Sequence, residues 1–301
     1  MKVQFTVGDY LNRAVLVYPD RTAVVDEPGT PGSLGSFTYA SFGKRVRNFA
    51  RRLEDLGVEV GDRVAMVSPN SARFLISFWG TSQYGRVLVP INFRLNAEEI
   101  GYIIDHSGAT VLFVDPDQYE VCKDLPVKHL VVMDGVADAG WFDEIADASA
   151  EPTAWEANED STATVNYTSG TTARPKGVQI THRNAWTNAT TFGWHTSVSD
   201  RDVYLHTLPM FHCNGWGAGV RRYWNGRYAY CFAQSRWRRH IASGASPWGE
   251  LHVRCASGGR YDPRCRSQTA WFGPDCSWPT PGPNCGCRRA ATVEDDRAGR
   301  D

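Results

Sequence analysis

Tyr39, Phe42, Val46, Phe49, Leu53 and Leu56 recur at steps of three and four residues, which lays one apolar stripe down a single helical face. Gly57 follows as a left-handed stop, and Arg63–Ser68 (RVAMVS) is a short apolar run suited to a strand. The alternation then repeats. Asn70 is placed to cap a second helix carrying Phe74, Leu75 and Phe78 and ending near Gly85, and Val87–Ile91 follows as a strand. Asn96 with Glu99 makes a capping-box pattern, with Ile100, Ile103 and Ile104 as the buried side, Gly108 as the stop and Thr110–Val114 as the next strand. Leu130–Met133 reads as one more. Short β-branched strands separated by helices predict an α/β fold, with parallel strands and helices on both faces of the sheet.

Gly135–Asp160 is rich in Ala, Asp and Glu, which predicts a surface connection containing a short helix. A second βα unit is expected after it: Thr162–Tyr167 as strand, Thr168–Gly177 as loop and His182–Thr196 as helix. Val203–Leu208 is then a strand that enters Pro209-Met-Phe-His-Cys-Asn-Gly-Trp-Gly217. No internal repeat is evident.

The loop carries the chemistry. Thr168, Ser169, Thr171 and Thr172 offer four hydroxyls in five positions around Gly170, and Lys176 follows Pro175, which restricts the backbone. Backbone N–H groups in a glycine-containing turn, short hydroxyl side chains and one ammonium are what a polyphosphate needs. A Walker A loop is excluded, because that motif requires Gly-Lys followed by Ser or Thr and the order here is Lys176-Gly177-Val178. As chemistry alone, the segment is either a phosphate loop or a polar surface turn.

Tyr167-Thr-Ser-Gly-Thr-Thr-Ala-Arg-Pro-Lys-Gly-Val178, closely followed by Thr181-His-Arg-Asn184, resembles the signature of the adenylate-forming (AMP-binding) superfamily. Acyl-CoA synthetases, luciferases and the adenylation domains of peptide synthetases belong to it. Pro90-Ile-Asn-Phe-Arg-Leu95 and Leu208-Pro-Met-Phe-His212 are similar to its acyl-CoA ligase branch. The resemblance implies the N-terminal large-domain portion of such an enzyme, with parallel-sheet βα layers. It further implies a fatty-acid or related carboxylate–CoA ligase. ATP with Mg²⁺ would activate the acid to an acyl-adenylate, and CoA would then take the acyl group.

On that resemblance, Thr168, Ser169, Gly170, Thr171, Thr172, Lys176 and Gly177 hold the ATP phosphates, and Lys176 offsets charge on the departing pyrophosphate. His212 falls at the position beside the acyl carboxylate and α-phosphate. Its expected role is orientation, since a carboxylate is already ionised at pH 7. Phe211, Asn214 and Trp216 fall on the acid-binding side. Cys213 beside His212 suggests a thiolate–imidazole pair, but adjacent residues rarely meet that geometry and the family uses no such pair. No residue is assigned to a metal.

The resemblance covers residues 1–220 and then stops. The family's Tyr-Gly-x-Thr-Glu segment, its Thr-Gly-Asp segment and its C-terminal domain with a catalytic lysine are not found, and no Lys follows Lys176. Composition breaks at the same place: residues 1–220 hold 18 Lys and Arg against 26 Asp and Glu, whereas residues 221–301 hold 14 Arg, no Lys and 7 acids. The later segment has six of the eight Cys but only six Leu, Ile, Val and Phe residues, too few to bury much surface. The expected organisation is therefore a partial adenylation domain, 1–220, and an irregular or disordered tail, 221–301. The tail's cysteines lack the Cys-x₂-Cys pairing of a zinc site, and its arginines form no amphipathic stripe for nucleic acid. Its excess of Arg, Gly, Pro, Trp and Cys fits an out-of-frame GC-rich gene, a hypothesis that translating the other frames of the locus tests. A truncated ligase, a catalytically inactive nucleotide-binding fragment, and a half that assembles with a separately encoded C-terminal remainder are all open at this point. No run reaches the ~18 apolar residues of a membrane span, and the charged start MKVQFTVGDYLNR is unlike a secretory signal, so a cytoplasmic location is expected.

Overall fold

The computed structural model describes residues 3–27, 32–145, 151–168, 174–195, 203–206 and 208–212, together with the backbone of 229–231, 253–254 and 260–261. The chain opens with helix α1 (Gly8–Val17), strands β1 (Thr22–Asp26) and β2 (Ser36–Thr38), and helix α2 (Tyr39–Asp55). The predicted stripe is the buried face of α2: Tyr39, Phe42, Val46, Phe49 and Leu53 are all core residues. Strand β3 (Arg63–Val67), helix α3 (Ala72–Ser82), strand β4 (Val87–Ile91), helix α4 (Ala97–Ser107) and strand β5 (Ala109–Val114) follow as expected. Gly57 and Gly108 take the left-handed conformation predicted for stops, with φ of 73° and 68°. Both bonds of the Asn96–Glu99 capping box are present on α4. A short helix α5 (Tyr119–Cys122), β6 (His129–Val132), β7 (Thr162–Thr168), β8 (Lys176–Thr181), α6 (His182–His195), β9 (Val203–His206), β10 (Ala229–Cys231), β11 (Val253–Arg254) and β12 (Arg260–Tyr261) complete the order.

Two six-stranded sheets result. The first runs β12-β11-β9-β10-β1-β2 and the second β6-β5-β3-β4-β7-β8. The second sheet is parallel from β6 to β7, and both its faces are covered. Val64, Met66, Val111 and Phe113 pack with α1, α2 and α3 and with Val24 and Phe37 of the first sheet. Their alternating neighbours Ala65, Val67, Leu112 and Val114 pack with α4 and α5. That is why these strands read as unbroken apolar runs. Every residue of α3 is buried, because the helix contacts both sheets.

Four expectations need correction. Ser71, not Asn70, caps α3, accepting from the Phe74 N–H at 3.2 Å, and the helix ends at Ser82 and not near Gly85. Thr168–Gly177 does not lead straight from a strand to a helix. Thr168 ends β7, and Lys176 and Gly177 begin an antiparallel partner strand, so the segment joins a hairpin and α6 starts after it. Gly135–Asp160 is not wholly superficial: Trp141 and Phe142 enter the core against Phe49 and Phe113, and Asp138 is buried in an ion pair with Arg73 at 2.8 Å. No helix occurs among its described residues. Finally, three short strands lie beyond Arg221, where no element was expected. Each pairs over two or three residues, too short to leave a period in the sequence. The rest of 221–301 lies outside the described residues.

Candidate active site

Two pieces of backbone meet at the C-terminal end of β7, the edge at which open α/β sheets bind ligands. The first is the hairpin. Tyr167 pairs with Gly177 and Thr168 with Lys176, and both Thr168 and Lys176 are exposed. Gly177 packs closely, since a Cβ there would lie 3.1 Å from the Tyr167 ring and from Val165 and would push both outward by a few tenths of an ångström. The Tyr167 hydroxyl lies 2.8 Å from Nδ1 of His106 on α4, and Tyr102, one turn earlier on the same helix, donates to the Pro175 carbonyl at 3.3 Å. Burial holds the Tyr167 phenol above its ordinary pKa, so it is a neutral hydroxyl at pH 7.

The second piece is the turn Leu208–His212, closed by the His212 N–H donating to the Pro209 carbonyl at 3.2 Å. Asn70 holds it with its whole side-chain amide. Its Nδ2 donates to the carbonyls of His206 and Leu208, each at 2.9 Å, and its Oδ1 accepts from the buried Met210 N–H at 2.7 Å. Phe211 meets Phe93 edge-on at 5.6 Å, and its carbonyl accepts from Asn166 Nδ2 at 3.4 Å. Thr164 orients that amide by donating to Asn166 Oδ1 at 2.9 Å. The His212 side chain is exposed.

Asn166 lies two residues before Thr168 on β7, so one strand carries the base of the hairpin and anchors the His212 turn. Of the predicted site residues, Thr168, Lys176, Gly177, Phe211 and His212 are thus gathered around β7. Ser169, Gly170, Thr171, Thr172, Asn214 and Trp216 lie outside the described residues. Asn70, Tyr102, His106 and Asn166 were missed. The only local signal was amide and aromatic residues near strand ends, and their partners are 45 to 140 residues away along the chain.

With this arrangement in view, the family can be given. The AMP-binding enzyme profile matches residues 11–223, about two thirds of the sequence and both halves of the site. The chain belongs to the AMP-binding enzyme family. Among relatives, it is 35% identical over 225 residues to the long-chain-fatty-acid–CoA ligase of Thermus thermophilus, covering 72% of this chain and 41% of the relative. It is 31% identical over 211 residues to the crotonobetaine/carnitine–CoA ligase of Salmonella agona, covering 65% of this chain and 40% of that one. Among solved structures, the N-terminal domain of FACL13 from Mycobacterium tuberculosis aligns with a TM-score of 0.67 and 30% identity, covering 80% of this chain and 62% of that one. This AMP-binding chain therefore has the mixed, mostly parallel α/β fold of such N-terminal domains, and spans about 40% of the length of the curated relatives it matches. No helix among its described residues is long and apolar enough to cross a membrane.

Proposed function

We propose that the chain is the ATP- and acid-binding N-terminal part of a carboxylate–CoA ligase acting on a fatty or related acid. The observation that carries this reading is the convergence on β7 of Thr168 and Lys176 on one side and the Asn166-anchored His212 turn on the other. Attack of a carboxylate on a polyphosphate brings anion to anion. Lys176, with Thr168, Ser169, Gly170, Thr171 and Thr172, offsets that charge at the phosphates, and Gly177 lets Tyr167 pack beneath them. His212 orients the carboxylate, with Phe211, Asn214 and Trp216 along the acid. Magnesium enters this reading as the counterion of ATP. CoA is the acyl acceptor in the same reading, and a cytoplasmic location is part of it.

The family profile ends at residue 223, which supports a domain boundary near 220 and a non-family segment after it. In this reading the family's remaining motifs lie outside the 301 residues, in a separately encoded remainder or in sequence lost from a truncated form. Acid-dependent ATP–pyrophosphate exchange tests this, on the chain alone and after co-purification with any polypeptide encoded downstream. Exchange that requires both acid and Lys176 supports the proposal. Nucleotide binding without exchange in either sample favours a non-catalytic nucleotide-binding fragment, and no nucleotide binding overturns the phosphate assignment.

A further inference from the structure

Tyr102 and His106 stand four residues apart on one face of α4 and together hold both arms of the hairpin. His106 reaches the Tyr167 hydroxyl at 2.8 Å, and the two rings meet edge-on with centroids 5.7 Å apart. Tyr102 donates to the Pro175 carbonyl, and the Arg174 guanidinium lies 5.5 Å over the Tyr102 ring. Tyr102 and His106 themselves lie 5.4 Å apart, so the contacts form one connected group. Tyr167 immediately precedes Thr168, Pro175 immediately precedes Lys176, and Thr168 and Lys176 are register partners. Each arm is fastened one residue before the residue read as its phosphate ligand.

Tyr102 also packs against the cluster of Ile100, Ile103 and Ile104, but its hydroxyl and the His106 ring reach beyond that cluster to the hairpin. Ile100, Ile103 and Ile104 already bury the other side of α4, whereas His106 is exposed and Tyr102 only half-buried. These hairpin contacts answer a local need. Among the described residues β8 is an edge strand whose partner is β7, and its residues are exposed or half-buried, so little apolar burial holds its first residues in place. Lys176 is the first of those residues. A ligand that orders a loose strand end loses affinity to that ordering, and a prefixed backbone removes the loss.

We infer that Tyr102 and His106 are positioning residues for the phosphate-binding hairpin, fixing the two strand ends so that Thr168 and Lys176 meet a polyphosphate together. This rests on the reading of Lys176 as a phosphate ligand. Neither α4 residue touches the phosphate, and no proton moves between them and the ligand.

The test uses the full 301-residue chain, with titration calorimetry of Mg·ATP and Mg·pyrophosphate beside amide hydrogen exchange. His106→Ala and Tyr167→Phe should each weaken binding roughly three- to tenfold, the size of one net hydrogen bond. The double variant should be weaker than His106→Ala by less than the Tyr167→Phe effect alone, because the two share the His106–Tyr167 bond while Tyr167 also bonds Ser107. His106→Asn, whose amide reaches the place of Nδ1, should restore most of the affinity. In His106→Ala and in Tyr102→Phe the amides of Thr168, Lys176 and Gly177 should exchange faster while the core strands are unchanged.

Lys176→Ala separates the two readings. If it abolishes binding while His106→Ala and Tyr167→Phe leave affinity unaltered, the positioning role is overturned and the phosphate assignment stands. If the chain binds neither ligand, or binds equally well with Lys176→Ala, the phosphate assignment falls. Exchange then decides whether α4 fixes the hairpin ends: faster exchange supports it, and unchanged exchange overturns it.

Discussion

The second sheet takes its strands from residues 63–181, and its neighbours β6, β5, β3 and β4 arise from successive βα units. The first sheet gathers strands from residue 22 to residue 261 and sets β10 between β1 and β9. Among the described residues, one sheet draws all its strands from before the composition break near residue 220, and the other includes backbone from beyond it. A strand pairs through its N–H and C=O groups, which every non-proline residue carries. That is how a segment so poor in aliphatic residues can still lie in a sheet. The hairpin belongs to the local sheet and the His212 turn follows β9 of the non-local one, so the candidate site is only as well ordered as the joints between the two. Predictions aimed at those joints test the comparison.

The largest effect is expected at Phe113. It projects from the second sheet into the core shared with the first, meeting Phe49 at 5.0 Å and Trp141 at 4.9 Å. Phe113→Ala should cost about 3–5 kcal/mol in urea unfolding, the range for removing a fully buried ring. Loss of amide protection in both sheets at once would show a single cooperative core. If only the second sheet loosens, the sheets unfold separately.

A pH dependence of similar size is expected at the joint between the N-terminus and α6. His182 is fully buried, accepts from the Val7 N–H through Nδ1 at 3.3 Å, and is held by burial at a pKa of about 4, below its ordinary 6.5. Above pH 6.5 both folded and unfolded chains keep it neutral. Between pH 6.5 and 4 the unfolded chain takes up a proton that the folded one refuses, so stability falls as pH falls through that window, by up to about 3 kcal/mol. Urea unfolding at pH 7 and pH 5 measures it. His182→Asn retains an acceptor for Val7 without the titration, and should shrink the difference between the two pH values.

Much of this fold was legible because its strands are buried on both faces and its helices on one, patterns that survive in composition and spacing. Capping was legible at Asn96 and Glu99, where a reciprocal box marks one residue, and not at Ser71, where two good capping types stand side by side. The hairpin was not, because Lys176–Thr181 is exposed or half-buried along its length, has no apolar run, and its Val178–Ile180 alternation is only two apolar residues long. Trp141 and Phe142 were hidden by the acidic residues around them. At the site, the phosphate loop declared itself as a contiguous motif. Its supports did not: Tyr102 and His106 read as ordinary helix-surface residues, and their meaning depends on partners 73 and 61 residues away.

Asn70 and Ser71 divide the remaining predictions, and they show why adjacent residues of similar propensity can be misread. Both types cap helices well, so sequence alone does not say which one does. Asn70 instead ties the end of β3 to the turn after β9, joining the two sheets at the site. Asn70→Ala leaves the buried Met210 N–H without its acceptor and should cost about 2 kcal/mol. Exchange at Met210 and His212 should rise far more than at α3. Asn70→Asp keeps the acceptor and should recover part of that protection. Ser71→Ala removes the α3 cap and should cost only about 1 kcal/mol, with faster exchange at Phe74 and no change at Met210. If Ser71→Ala loosens the turn as much as Asn70→Ala does, the turn is held by α3 as a whole, and Asn70 is not the specific joint between the local and the non-local sheet.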